Sequence, residues 1–163
     1  MSKTNEFQGS NAEEKYKGVG GWLLFFCVGL TILSPLRGAF ALIQGYNQSN
    51  PYFDRFPGLR TLTMIDMPVS IALMGFSIYA GVGLWSIRPG AVRTAKRFLI
   101  VTLVYLVVSS FFLPFIVELP ERATSAMLPE IVKGFFQGLV FVVIWLMYLN
   151  KSRRVKATYP DAA

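Results

Sequence analysis

The sequence contains no histidine and a single cysteine, Cys27. These absences exclude a His-based catalytic triad, a Cys/His zinc site and a disulfide within one chain. Charge is scarce too: 15% of the 163 residues are Asp, Glu, Lys or Arg, against about 25% in an ordinary soluble domain. None of these charges falls at the centre of a long apolar run. A proton-coupled pump needs a titratable relay inside the membrane, and the sequence offers none. No metal or cofactor site is legible. Without a nucleophile paired to a base, the expectation is a protein that is not an enzyme.

What fills the space is apolar: 53% of the residues are hydrophobic, with mean hydropathy +0.48. Roughly 20 apolar residues cross a hydrocarbon core about 30 Å thick. Four stretches meet that length, residues 19–45, 64–87, 98–117 and 129–149. The fold class expected is an all-α membrane protein, a four-transmembrane-helix bundle. A polar tail, 1–18, precedes it and a basic tail, 150–163, follows. Ala39-Phe40-Ala41 has the small residues of a signal-peptide cleavage site. The long apolar run and Pro35 and Arg37 just before that site favour a retained first span instead.

Three faces of these helices are small or polar. On the first, Cys27, Thr31, Ser34, Gly38, Ala41 and Gly45 keep helical spacing. On the second, Asp66, Ser70, Leu73, Ser77 and Gly81 do so; on the third, Thr102, Tyr105 and Ser109. Small residues let helices approach closely in lipid, where apolar side chains gain nothing by meeting. The faces are therefore expected to point inward, as packing seams or as the walls of a small polar cavity. Gly134 and Gly138 in the fourth span form a GxxxG helix-packing motif. Residues 46–63, with Pro51, Pro57 and Gly58, are expected to be a loop, and Asp66 with Pro68 to open the second helix.

The net charge of +7 would suggest nucleic acid in a soluble chain. Here its placement points to lipid and to no nucleic acid. Eleven of the sixteen Lys and Arg lie in the two tails and the 88–97 turn. The positive-inside rule then puts both termini in the cytoplasm, N-in/C-in. Arg88, Arg93, Lys96 and Arg97 in the turn, and Lys151, Arg153, Arg154 and Lys156 in the tail, are candidate contacts for anionic lipids on the cytoplasmic face. Arg37, Asp66, Glu118, Glu130 and Lys133 all fall in the outer third of the spans. They form a candidate charged layer, with Arg37–Asp66 and Lys133–Glu118 the expected pairs.

The opening Gly20-Gly21-Trp22-Leu23, with Leu33-Ser34-Pro35-Leu36, resembles the start of a bacterial membrane family. So does the close, Tyr148 followed by Ser152-Arg153-Arg154-Val155-Lys156-Ala157-Thr158-Tyr159. The family is the domain-of-unknown-function 2569 family. The resemblance implies a small multi-pass protein of the bacterial inner membrane, and no known activity, cofactor or catalytic residue. Two functions are in view. The first is an accessory or scaffold bundle that associates with other membrane proteins or with itself. The second is a small transporter or a lipid- or amphiphile-binding protein acting as a dimer. A cavity lined by Arg37 and Asp66 would favour the second; a dry, close-packed interior would favour the first.

Overall fold

The computed structural model describes residues 18–111 and 121–159. All regular structure among them is helical. Helix α1 runs Trp22–Tyr52, α2 Pro57–Trp85, α3 Ala91–Phe111, α4 Glu121–Lys151 and α5 Arg153–Thr158. Helix α1 packs on α2, α2 on α3 and α3 on α4. Three stretches among the described residues are long and apolar enough to cross a membrane: Trp22–Tyr52, Pro57–Trp85 and Leu128–Lys151. The expected 98–117 span runs into residues 112–120, which lie outside the described set.

Each of the four long helices turns an apolar side outward. Ile32 and Phe40 on α1, Ile65 and Tyr79 on α2, Val104 on α3, and Phe136 and Ile144 on α4 are all exposed. A water-soluble monomer does not expose apolar surface on every helix. A protein solvated by acyl chains does.

The helices continue further than the apolar spans. Most of the expected 46–63 loop is helical; only residues 53–56 separate α1 from α2. Pro57 takes the first turn of α2, where its missing N–H costs nothing. Asp66 therefore lies more than two turns inside α2, and Pro68 is an interior proline. The expectation that Asp66 sits at a helix N-terminus is corrected accordingly.

Among the described residues the fully buried core lies towards one end. We call it the terminus end, because residues 18–22 and 150–159 meet there. Leu23, Phe26, Cys27 and Leu30 of α1 are buried against Ser77, Ala80 and Leu84 of α2. Ala91, Ala95, Phe98 and Leu99 of α3, with Val142, Trp145 and Leu149 of α4, complete this core. Trp145 closes the bundle by stacking on Phe26 at 4.3 Å between ring centroids. Residues 34–49 of α1, by contrast, bury none of their side chains. The change falls at a π turn, Gly29–Leu33, followed by Pro35. Proline has no N–H for the carbonyl four residues earlier, and such interruptions of the ladder are where helices bend.

The turn between α2 and α3 is a Schellman motif. The Arg88 amide donates to the Gly83 carbonyl at 3.1 Å and the Ile87 amide to the Leu84 carbonyl at 3.2 Å. The left-handed position of this motif is usually glycine; here it is Ile87, at φ 47°. Left-handed backbone costs an L-residue about 1–2 kcal/mol. Ile87→Gly should therefore stabilise the fold by about 1 kcal/mol, read as a higher unfolding midpoint in detergent. A lower midpoint would contradict this account of the turn.

Candidate functional site

The three polar faces do converge, but depth divides their roles. Near the terminus end they are seams. The Ser77 hydroxyl, fully buried, donates to the Leu30 carbonyl at 2.7 Å. Gly81 lies directly against Thr31 and Leu30. Nearer the opposite end, where residues 50–57 turn, the same faces part and line an open-sided cavity of about 310 Å³. Its walls are Ser34, Gly38, Ala41 and Leu42 of α1, Asp66, Ser70, Leu73 and Met74 of α2, and Phe98, Thr102 and Tyr105 of α3.

The polar side of this cavity is one hydrogen-bonded cluster. The Tyr105 hydroxyl donates to Asp66 Oδ1 at 2.5 Å. The Ser70 hydroxyl lies 3.5 Å from Asp66 Oδ2 and 3.2 Å from the Tyr105 oxygen. Thr102 Oγ1 is buried with no hydrogen-bond partner among the described residues. Helical Ser and Thr usually bond back to a carbonyl one turn earlier, as Thr31 does to Cys27.

This geometry corrects the expected Arg37–Asp66 pair. Asp66 turns inward to α3, whereas Arg37 is exposed and is not among the cavity's walls. Among the described residues no ion pair joins them, and hydroxyls take the carboxylate's bonds instead. Glu130 and Lys133 are exposed on α4. Glu118 lies outside the described residues, and with it the Lys133–Glu118 pair.

The GxxxG motif is used on one side only within the chain. A Cβ at Gly138 would lie 2.8 Å from Leu106 Cδ2 of α3; one at Gly134 would meet nothing within 4 Å among the described residues. Gly138→Leu should thus push α3 and α4 apart and cost about 1–3 kcal/mol. Gly134→Leu should leave stability within about 0.5 kcal/mol. Thermal unfolding of both in detergent checks the contrast; equal losses would count against it.

At the terminus end the two stretches that carried the resemblance come together. Ser152 caps α5, its hydroxyl accepting from the Val155 amide at 3.4 Å. Helix α5 then folds back over the bundle and buries Val155, Thr158 and Tyr159. The Gly18 amide donates to Thr158 Oγ1 at 3.2 Å. The Arg154 guanidinium lies over Gly20, with Nη1 2.7 Å from where a Cβ would stand. The Tyr159 hydroxyl donates to the Leu84 carbonyl at 2.5 Å, capping the last turn of α2. Burial, with a smaller contribution from Cys27, pushes the Tyr159 phenol up from its ordinary value, so the hydroxyl keeps the proton it donates.

A family model described as Protein of unknown function (DUF2569) matches residues 16–160. The chain belongs to this family. The match runs from just before the Gly20-Gly21-Trp22 opening to just past Tyr159, the two ends that this DUF2569 fold joins in space. No curated protein and no solved structure matches the chain. In this DUF2569 chain the basic residues of the turn and tail share the terminus end. Arg88, Arg93, Arg97, Lys151, Arg153 and Lys156 are exposed there, while Lys96 and Arg154 are half-buried. Sequence reasoning missed Val155 and Tyr159 as core residues. Their signal was present: two apolar residues four apart inside a basic stretch, which share one face of a helix.

Proposed function

We propose that this chain is a four-span, multi-pass protein of the bacterial inner membrane, with both termini in the cytoplasm. Its terminus end is a closed clamp on the cytoplasmic side. Its function is to bind an amphiphile that enters the α1–α2–α3 cavity from the outer leaflet. The observation that carries this reading is the cavity itself: about 310 Å³, at the lower edge of ligand-pocket sizes, roughly 300–1,000 Å³. A bundle made only to pack would close this space, as its other half does. The exposed basic residues support the cytoplasmic assignment and contact with anionic headgroups.

The test is native mass spectrometry of protein released in mild detergent. The expected result is a bound amphiphile, lost on Gly38→Leu, whose Cβ would stand 2.9 Å from Met74 Cγ and Sδ and displace that flexible cavity-lining side chain. Thermal unfolding confirms that the variant folds. Protein without an adduct, or an adduct that survives the filled cavity, would overturn the reading.

One observation favours the accessory reading as a second role. Gly134 opens outward on an exposed part of α4, where a second copy or another membrane protein would find a close approach. Cross-linking in native membranes, read by mass spectrometry, tests it: products through α4 support it, and their absence rejects it.

A further inference from the structure

We infer that the amphiphile carries an ammonium group and that Asp66 is its counter-ion; this rests on the cavity being a binding site, as proposed above. A carboxylate within a membrane span is expensive unless it is paired. Asp66 has no ion pair among the described residues. It faces the cavity, and the walls on all three helices carry no Lys or Arg. Its two bonds come from neutral hydroxyls, one to each oxygen. An ionised carboxylate accepts about four, so half its capacity is left for a ligand.

The rest of the wall suits the same chemistry. The rings of Tyr105 and Phe98 also line the cavity, and aromatic faces attract cations. Leu73 and Met74, about two turns along α2 from Asp66, supply apolar surface for the chain that follows the headgroup. The recognised chemistry is thus an ammonium on an alkyl or acyl chain. An aminophospholipid and a single-chain alkylamine both carry it.

The competing account is that Tyr105, Ser70 and Asp66 only tie α2 to α3. It predicts no preference for one headgroup, because a protonated or amidated Asp66 still bonds both hydroxyls, accepting from one and donating to the other. Protein in nanodiscs is therefore exposed to photoreactive amphiphiles of one chain length: three single-chain compounds that differ only in headgroup, and one two-chain lipid. The set is an alkylamine, an alcohol, a carboxylic acid and a phosphatidylethanolamine, and labelled peptides are mapped by mass spectrometry.

The inference expects the amine arms to label the cavity walls at roughly tenfold or more the level of the alcohol and the acid. Asp66→Asn should remove that preference. The stronger of the two amine arms identifies the source. Equal cavity labelling by all headgroups in the wild-type protein overturns the inference and leaves the binding cavity standing. No headgroup labelling the cavity above the lipid-facing surface overturns both. The wild-type comparison decides the question even if Asp66→Asn fails to fold.

Discussion

Tyr159→Ala should cost about 3–5 kcal/mol, the range for emptying an aromatic core site. The side chain is 4% exposed, from the last turn of chain in the structure. It fills a site beside Cys27 and gives the Leu84 carbonyl its second donor, beside the Ile87 amide. Removing it leaves a void and a carbonyl short of a partner at once. The unfolding midpoint in detergent should fall by on the order of 10 °C. Tyr159→Phe keeps the ring and loses only the hydrogen bond, at about 1 kcal/mol.

The pH dependence of that second variant has a definite sign. The folded-state value of the phenol is raised above its ordinary value of about 10. Its contribution is therefore fully present below that ordinary value and is lost as pH rises beyond it. The difference between wild type and Tyr159→Phe should shrink above about pH 10. An unchanged midpoint in Tyr159→Ala would mean that the C-terminal segment does not hold the bundle.

Gly81→Val should be about as damaging, for the opposite reason. A Cβ at Gly81 would lie 2.5 Å from Thr31 Cγ2, 3.1 Å from Leu30 Cβ and 3.2 Å from the Thr31 backbone nitrogen. The first contact is relieved by turning a side chain; the third is relieved only by parting α1 from α2. Overpacking costs about 1–3 kcal/mol when side chains can adjust, and a backbone contact puts this site at or above the top of that range. Gly83→Ala is the control, because its Cβ would meet Ala91 at an ordinary 3.8 Å. Adding Thr31→Ser removes Cγ2 and should restore part of the loss. Strictly additive penalties for the Gly81 and Thr31 changes would show that the seam is not where the structure has it.

The sequence made the helices legible, because long apolar runs admit few alternatives. It also made the inward faces legible, because small and polar residues recur at helical spacing along them. It could not show that one stripe does two jobs. Cys27 and Thr31 pack while Ser34 and Gly38 line a cavity, and nothing in their spacing separates them. The difference comes from the π turn at Gly29–Leu33, a feature of hydrogen bonding that composition does not record. Helical spacing marks Asp66 as a polar inward residue, but it does not name its partner. Charge alone suggested Arg37, whereas Tyr105, 39 residues away along the chain, has the geometry. The C-terminal clamp was hidden by its charge: a basic stretch reads as a solvated tail until Val155 and Tyr159 are seen to share its other face.

The proposed topology is a bundle clamped shut at a cytoplasmic end and open at the other, with an even number of crossings. It is tested most directly by cysteine labelling with a membrane-impermeant maleimide in a Cys27→Ala background. Asn50→Cys lies in the exposed turn at the open end, and Lys156→Cys on exposed α5 at the clamp. In intact spheroplasts Asn50→Cys should react and Lys156→Cys should not, and inverted vesicles should reverse the pattern. Reaction of both positions from one side, or of Lys156→Cys alone from outside, would contradict it.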